Sequence, residues 1–146
     1  MALFGIGQRS VTTTIATAAW EIRAVATNKP RLFELGFSQN TAPAAVTTYG
    51  FGRPSSAGVN PTVTTALVPD SDASAQASLT SVATAWGTAP GVPSNFNRRI
   101  SCTTASLGTG VIWTFPRGFD IGAGSSLVLW LITAGVLLDM WAKVDE

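Results

Sequence analysis

Histidine is absent from this chain, cysteine occurs once, and Asp, Glu, Lys and Arg together make up only 12% of its 146 residues. The first absence removes the usual general base near neutral pH, and with it Ser-His-Asp and Cys-His arrangements and most zinc sites. The lone Cys102 excludes a disulfide-stapled scaffold and leaves only an intermolecular bridge open. Its plain reading is a small buried hydrophobe. Charge at about half the usual share of a soluble domain, with a formal net of +1, gives no general attraction to nucleic acid or anionic lipid. A surface of Ser, Thr, Ala and Gly is also a poor colloid alone, which points to a partner. The N-terminal "MALFGIGQRS" has no basic region ahead of a long apolar core, so no secretory signal is expected.

A long apolar run is missing too. The richest stretch, "SSLVLWLITAGVLLDMW" from Ser125 to Trp141, falls short of the roughly 20 residues that a spanning helix needs. Leu127 to Leu138 is interrupted by Thr133-Ala134-Gly135 and closed by Asp139, and a glycine among small residues between apolar runs punctuates a chain. As a strand, the first run is apolar on both faces, with Leu127, Leu129 and Leu131 opposite Val128, Trp130 and Ile132. In the second, Val136, Leu138, Met140, Ala142 and Val144 alternate with Leu137, Asp139, Trp141 and Lys143, giving one core face and one mixed face. Periodicity in so short a run also admits a helix. The pattern is read as a C-terminal hairpin turning at Ala134-Gly135, without membrane insertion.

What is present is strand-rich. Trp20 to Ala26 and Arg31 to Phe37 flank Asn28-Lys29-Pro30, a turn-forming cluster, and are read as another hairpin. Trp20, Ile22, Ala24 and Ala26 share one face of the first run, and Phe33, Leu35 and Phe37 one face of the second. "AVTTYGFG", "PTVTTALVP", "RRISCTT" and "GVIWTF" add short strands, the last two joined through the glycines of "ASLGTG". Asp70 to Thr84 is Ser- and Ala-rich ahead of "VATAWG" and is left open between loop and short helix. With 14 Gly and 8 Pro as punctuation, the expectation is an all-β chain. The fold expected is a jelly-roll or β-sandwich of about eight short strands in one domain over residues 12–146, after an extended N-terminal arm over residues 1–11.

Few residues suggest chemistry. Glu21 and Glu34 lie on the two strands of the expected first hairpin, where a glycosidase pair is conceivable. The favoured reading is two solvent-facing carboxylates balanced by Arg23 and Arg31. Asp70 and Asp72 lack the remaining oxygen ligands and the glycine of a calcium loop. "GFGRPSSAG" and "GTGVIW" do not match a phosphate-binding fingerprint and are read as strand ends and turns. Arg98-Arg99 is the basic doublet; with no wider basic cluster around it, a protein interface is favoured over nucleic acid. The five Trp are assigned mainly to the core, with one or two at an interface.

The segments "NKPRLFELGFSQNTA", "YGFGRPSSAG", "AWGTAPGVP", "IWTFPRGFDIGAGSSLVLW" and "DMWAKVDE" resemble small head decoration, or cement, proteins encoded beside the major capsid gene of tailed bacteriophages. The resemblance spans Trp20 to Glu146. It implies a jelly-roll or β-sandwich module, often trimeric, on the outer surface of the head, assembled in the host cytoplasm and clamping neighbouring major capsid subunits. It brings no catalytic residues and no cofactor, and neither nucleic acid nor membrane is expected as a partner. The arm's Leu3, Phe4 and Ile6 are then candidate apolar anchors on the shell, and Arg53, Arg98, Arg99 and Arg117 candidate contacts to its carboxylates. The alternative is a glycan-binding tail or fibre head module, which aromatics exposed in a cleft would favour. A paired-carboxylate glycosidase stands third.

Overall fold

A computed structural model of the chain describes residues 2–10, 17–70, 77–103, 107–133 and 135–146. These form eleven strands and no helix: β1 (Leu3–Arg9), β2 (Thr17–Ala24), β3 (Arg31–Gln39), β4 (Thr47–Gly52), β5 (Val59–Ala66), β6 (Val68–Pro69), β7 (Thr80–Thr88), β8 (Arg98–Cys102), β9 (Gly110–Asp120), β10 (Ser126–Leu131) and β11 (Leu138–Asp145). One sheet runs β6-β1-β11-β3-β9 and the other β5-β7-β2-β10-β4-β8, with every pairing antiparallel. The early strands pair with the late ones in reverse order: β1 with β11, β2 with β10, β3 with β9 and β4 with β8. A ribbon so paired, folded over between two sheets, has the winding of a jelly roll. β5, β6 and β7 are an insertion that widens both sheets at the opposite edge from β8 and β9.

The alternation read from the C-terminal sequence decides the layering. Leu127, Leu129 and Leu131 of β10 join Val136, Leu138, Met140, Ala142 and Val144 in the core between the sheets. Val128 and Trp130 turn to the outer side of the six-stranded sheet and form a second, smaller cluster with Ala18, Trp86, Phe96 and Ile132. Segments 53–58 and 89–97 lie over that outer face, tied to each other by Ser55 N–H to Gly91 O (3.0 Å) and Gly91 N–H to Ser56 O (2.9 Å). Phe96 takes the space above Gly50 and lies 5.6 Å from Trp130. Cys102 is a free, buried thiol, and burial raises its pKa.

Both expected hairpins are instead arches between sheets. β2 is flanked by β7 and β10, and β10 by β2 and β4, so neither has a free edge for its successor in sequence. β3 and β11 therefore pair with each other in the opposite sheet. The β2–β3 connection is held by the β9–β10 connection, through Ile121 N–H to Pro30 O and Gly124 N–H to Val25 O, each 3.0 Å. In the C-terminal connection, Thr133 donates its hydroxyl to Val46 O at 2.8 Å, while Ala134 lies outside the described residues. β8 and β9 likewise fall in different sheets, so they do not form a hairpin, and residues 104–106 lie outside the described ones. The undecided stretch becomes β7 from Thr80, and residues 71–76 lie outside the described ones. In β3 the register shifts between Leu32 and Glu34; Leu32 enters the core and Phe33 is only half-buried. Ala26, expected to share the face of Trp20, is exposed beyond the end of β2.

The arm is also corrected. Leu3 to Arg9 is a strand of the domain, hydrogen-bonded between β11 and β6, with Phe4 and Ile6 buried in the main core. Alternation explains it, because glycines at positions 5 and 7 leave Phe4 and Ile6 on one face of the strand. Phe4→Ala is therefore expected to cost about 3–5 kcal/mol of unfolding free energy, measured by urea denaturation. A free arm gives no change.

Tyr49, the one tyrosine of the chain, packs 4.5 Å from Phe37, and its hydroxyl accepts a hydrogen bond from Gln39 Nε2 at 2.9 Å. Burial pushes its pKa up to about 12, above the value of about 10 in an unfolded chain. The neutral phenol therefore contributes stability in full below pH ~10, and the contribution is lost as the pH rises toward the folded value. In an alkaline titration the phenolate absorbance is expected to appear together with loss of the near-UV circular dichroism of the tryptophans. A phenolate forming near pH ~10 in a still-folded protein contradicts this.

Candidate functional site

One lateral edge of the sandwich concentrates the arginines that the sequence singles out. β8 closes the six-stranded sheet and β9 the five-stranded one. The two edges are joined through Phe51 of β4, whose ring lies 5.8 Å from Trp113, 5.9 Å from Phe115 and 5.9 Å from Phe119 of β9. Phe115 and Phe119 are 5.4 Å apart, edge to face. β9 brings both inward by bulging: Thr114 pairs with Glu34 and Phe119 with Leu32, so the stretch between them is lifted out of register with β3. Gly118 in that bulge has φ of 71°, a left-handed conformation suited to glycine. Pro116 lacks an N–H and sits on an edge strand, where proline is tolerated.

Two guanidinium groups cap the cluster. Arg98 lies 5.5 Å above the Phe115 ring and also donates to Asn97 O at 2.9 Å. Arg53 lies 5.7 Å above Phe119; it donates to Ile121 O at 2.8 Å, to the Ser125 hydroxyl at 3.5 Å and to Asp120 O. Arg117 sits in the bulge between the two phenylalanines, and Arg99 follows Arg98 along β8; both are exposed. The Asp120 carboxylate turns back to accept Gly122 N–H at 3.1 Å. The result is an arginine-lined edge over a packed aromatic base, along two strands whose outer sides carry no strand partner among the described residues. Planar guanidiniums braced on aromatic rings are preorganised to donate to carboxylates or backbone carbonyls of a protein surface.

The structure thus brings Arg53, Arg98 and Arg117 to one edge with Arg99 beside them, and separates them from the N-terminal candidates. Phe4 and Ile6 face the core and only Leu3 is partly exposed, so β1 offers no apolar anchor set of the kind expected. Arg53 is a latch on the β9–β10 connection more than a free contact. The aromatic base was missed in the sequence. Its signal is "FPRGF" at 115–119, where Pro and Gly inside a strand pattern mark a bulge that aims both aromatics to one side.

The two carboxylates of the conceivable glycosidase pair stand in different sheets. Glu21 is 0% exposed, contrary to the solvent-facing expectation. Its oxygens accept from Gly58 N–H (3.2 Å), Ser126 Oγ (2.7 Å), Trp86 Nε1 (2.7 Å) and Arg23 Nη1 (3.0 Å). Arg23 is its expected partner, whereas Glu34 accepts from Trp141 Nε1 at 3.0 Å instead of pairing with Arg31. Asp70 pairs with Lys143 at 3.6 Å, while Asp72 lies outside the described residues. No helix of the described residues is long and apolar enough to cross a membrane.

No family model, curated protein or solved structure matches the chain. The edge is therefore read from its own chemistry. Arg53→Ala is expected to lower stability by about 1 kcal/mol, because carbonyls of the β9–β10 connection lose their donor. Arg99→Ala and Arg117→Ala are expected to stay within about 0.5 kcal/mol of wild type. Urea denaturation of the three variants distinguishes latch from free contact.

Proposed function

We propose that the chain is a decoration, or cement, protein of a tailed-bacteriophage head, binding the outer surface of the shell and bridging major capsid subunits. The observation that supports this reading most is the arginine-lined edge of β8 and β9, where residues far apart in sequence converge on one aromatic base. Arg98 and Arg117 are exposed there and offer forked donors to acidic groups of a partner, with Arg99 exposed beside them on the other face of β8. Single contacts of this kind are modest, and many copies on a lattice act together when each bridges more than one subunit. In this reading the protein acts through its surfaces, is not an enzyme, and needs no cofactor, nucleic acid or membrane.

The opposite edge has the contrary character. Residues 54–69 carry no charge, and Val59, Val63, Val68 and Leu79 are exposed along β5, β6 and the start of β7. An uncharged apolar edge suits contact between copies, and the resemblance supplies three as their number. A trimer closed through β5 and β6 then points its arginine edges outward from the axis, toward separate capsid subunits.

The test uses capsids assembled without this protein. Arg98→Ala/Arg117→Ala is expected to weaken co-sedimentation with them about tenfold or more while keeping the wild-type melting temperature. Undiminished capsid occupancy by that folded variant overturns the reading.

A further inference from the structure

The outer face of the five-stranded sheet holds a feature that the decoration reading does not use. Trp141 of β11 leans across β3, its indole filling the space that a side chain at Gly36 would take. Its Nε1–H is pinned to Glu34 Oε1 at 3.0 Å. The ring therefore lies over β3 and away from β1, where the residue paired with Trp141 is Gly7 and the residue paired with Lys143 is Gly5. Glycine inside a strand costs stability and marks a close approach by something. For Gly36, Gly50 and Gly52 that something belongs to the chain itself: Trp141, Phe96 and Asn97. Gly5 and Gly7 have no such occupant, since an added Cβ meets nothing nearer than 3.6 Å and 3.9 Å respectively.

Two depressions result, one on each side of the Gly7–Trp141 step. The first, about 460 Å³, is bounded by Gly7, Arg9, Asp139 and Trp141. The second, about 310 Å³, is bounded by Gly5, Val68, Asp70, Trp141 and Lys143. Each has an ion pair on its rim: Arg9 with Asp139 at 2.8 Å and Lys143 with Asp70 at 3.6 Å.

We propose that this trough binds a neutral oligosaccharide, with the apolar face of one pyranose ring stacked on the Trp141 indole and neighbouring sugar residues in the two depressions. An indole is a broad apolar surface with a polar edge. The paired rim charges supply both donors and acceptors to ring hydroxyls, and charged partners make the stronger hydrogen bonds. Because each rim cation already has its carboxylate and Glu34 adds a further negative charge, the trough favours a neutral sugar over an anionic one. The glycines leave room for a ring where a side chain would stand. The site is on a different face from the arginine edge and does not depend on the decoration reading.

The test titrates the full chain with maltohexaose, cellohexaose, xylohexaose and chitohexaose, following the indole N–H resonances by NMR. At least one of the four is expected to shift the Trp141 indole signal at millimolar concentration. Trp141→Ala should weaken that binding about tenfold or more. Gly7→Val, which has room for its side chain and fills the trough, should do the same in a protein that melts as wild type does. Val92→Ser, exposed in the segment that covers the six-stranded sheet, should leave it unchanged. The proposal is overturned if no sugar moves the indole signal, or if Gly7→Val binds as wild type. It is also overturned if Gly7→Val changes self-association or capsid occupancy without any sugar binding, which would make this face a protein contact.

Discussion

A strand that is apolar on both sides is stable only inside a sheet whose two faces are both covered. β10 is such a strand: Leu127, Leu129 and Leu131 need the main core while Val128 and Trp130 need a second cover. From this requirement much of the architecture follows. β10 takes a central place between β2 and β4, which forces β11 across into the other sheet. The outer side must then be roofed by chain from elsewhere, and segments 53–58 and 89–97 supply the roof. Glu21 anchors it. A buried carboxylate is costly unless its acceptors are satisfied, and here each oxygen takes two donors, one of them the Gly58 N–H of the roof itself. The charge that looked most like chemistry thus holds a cover over a hydrophobic strand.

The same constraint sorts the surface. With the outer face of the six-stranded sheet roofed, contact chemistry is left to the lateral edges and to the outer face of the five-stranded sheet. Edge strands expose unpaired backbone groups and are normally blunted. The β8–β9 edge is blunted by arginines, Pro116 and a bulge. The β5–β6 edge is blunted by Pro61, the positive φ of Asn60 and register shifts in β5, but by no charge. Two edges so different in chemistry can serve two partners without competing for one surface.

Much of this was legible in the sequence. Period-two alternation located most of the strands and named the core face of the C-terminal run residue by residue, and Cys102, read as a small hydrophobe, is buried. Connectivity was not legible, for a definite reason. A hairpin and an arch bury the same alternate side chains, so Trp20, Ile22 and Ala24 face inward either way. What decides between them is whether the neighbouring edge is already taken, and that depends on strands a hundred residues away, such as β10 against β2. The arm was misassigned because so short an apolar segment pairs with strands from the far end of the chain, where Gly5 and Gly7 keep Phe4 and Ile6 in phase on the core face. The face of Leu32 was misassigned because a bulge inverts the alternation across it, Phe33 being skipped in the register of β3 with both β11 and β9.

The candidate site shows the same division. Arginines are recognisable by type, and four of them could be singled out, but their roles depend on what lies beneath. Arg53 and Arg98 both sit over phenylalanines of β9, yet Arg53 closes on carbonyls of the β9–β10 connection while Arg98 keeps most of its donors outward. A guanidinium spent on its own backbone is already satisfied and gains little from a partner, whereas one braced on a ring with free donors loses little entropy on binding. Orientation, supplied by the bulge that aims Phe115 and Phe119 inward, therefore separates a structural arginine from a contact arginine where residue identity cannot.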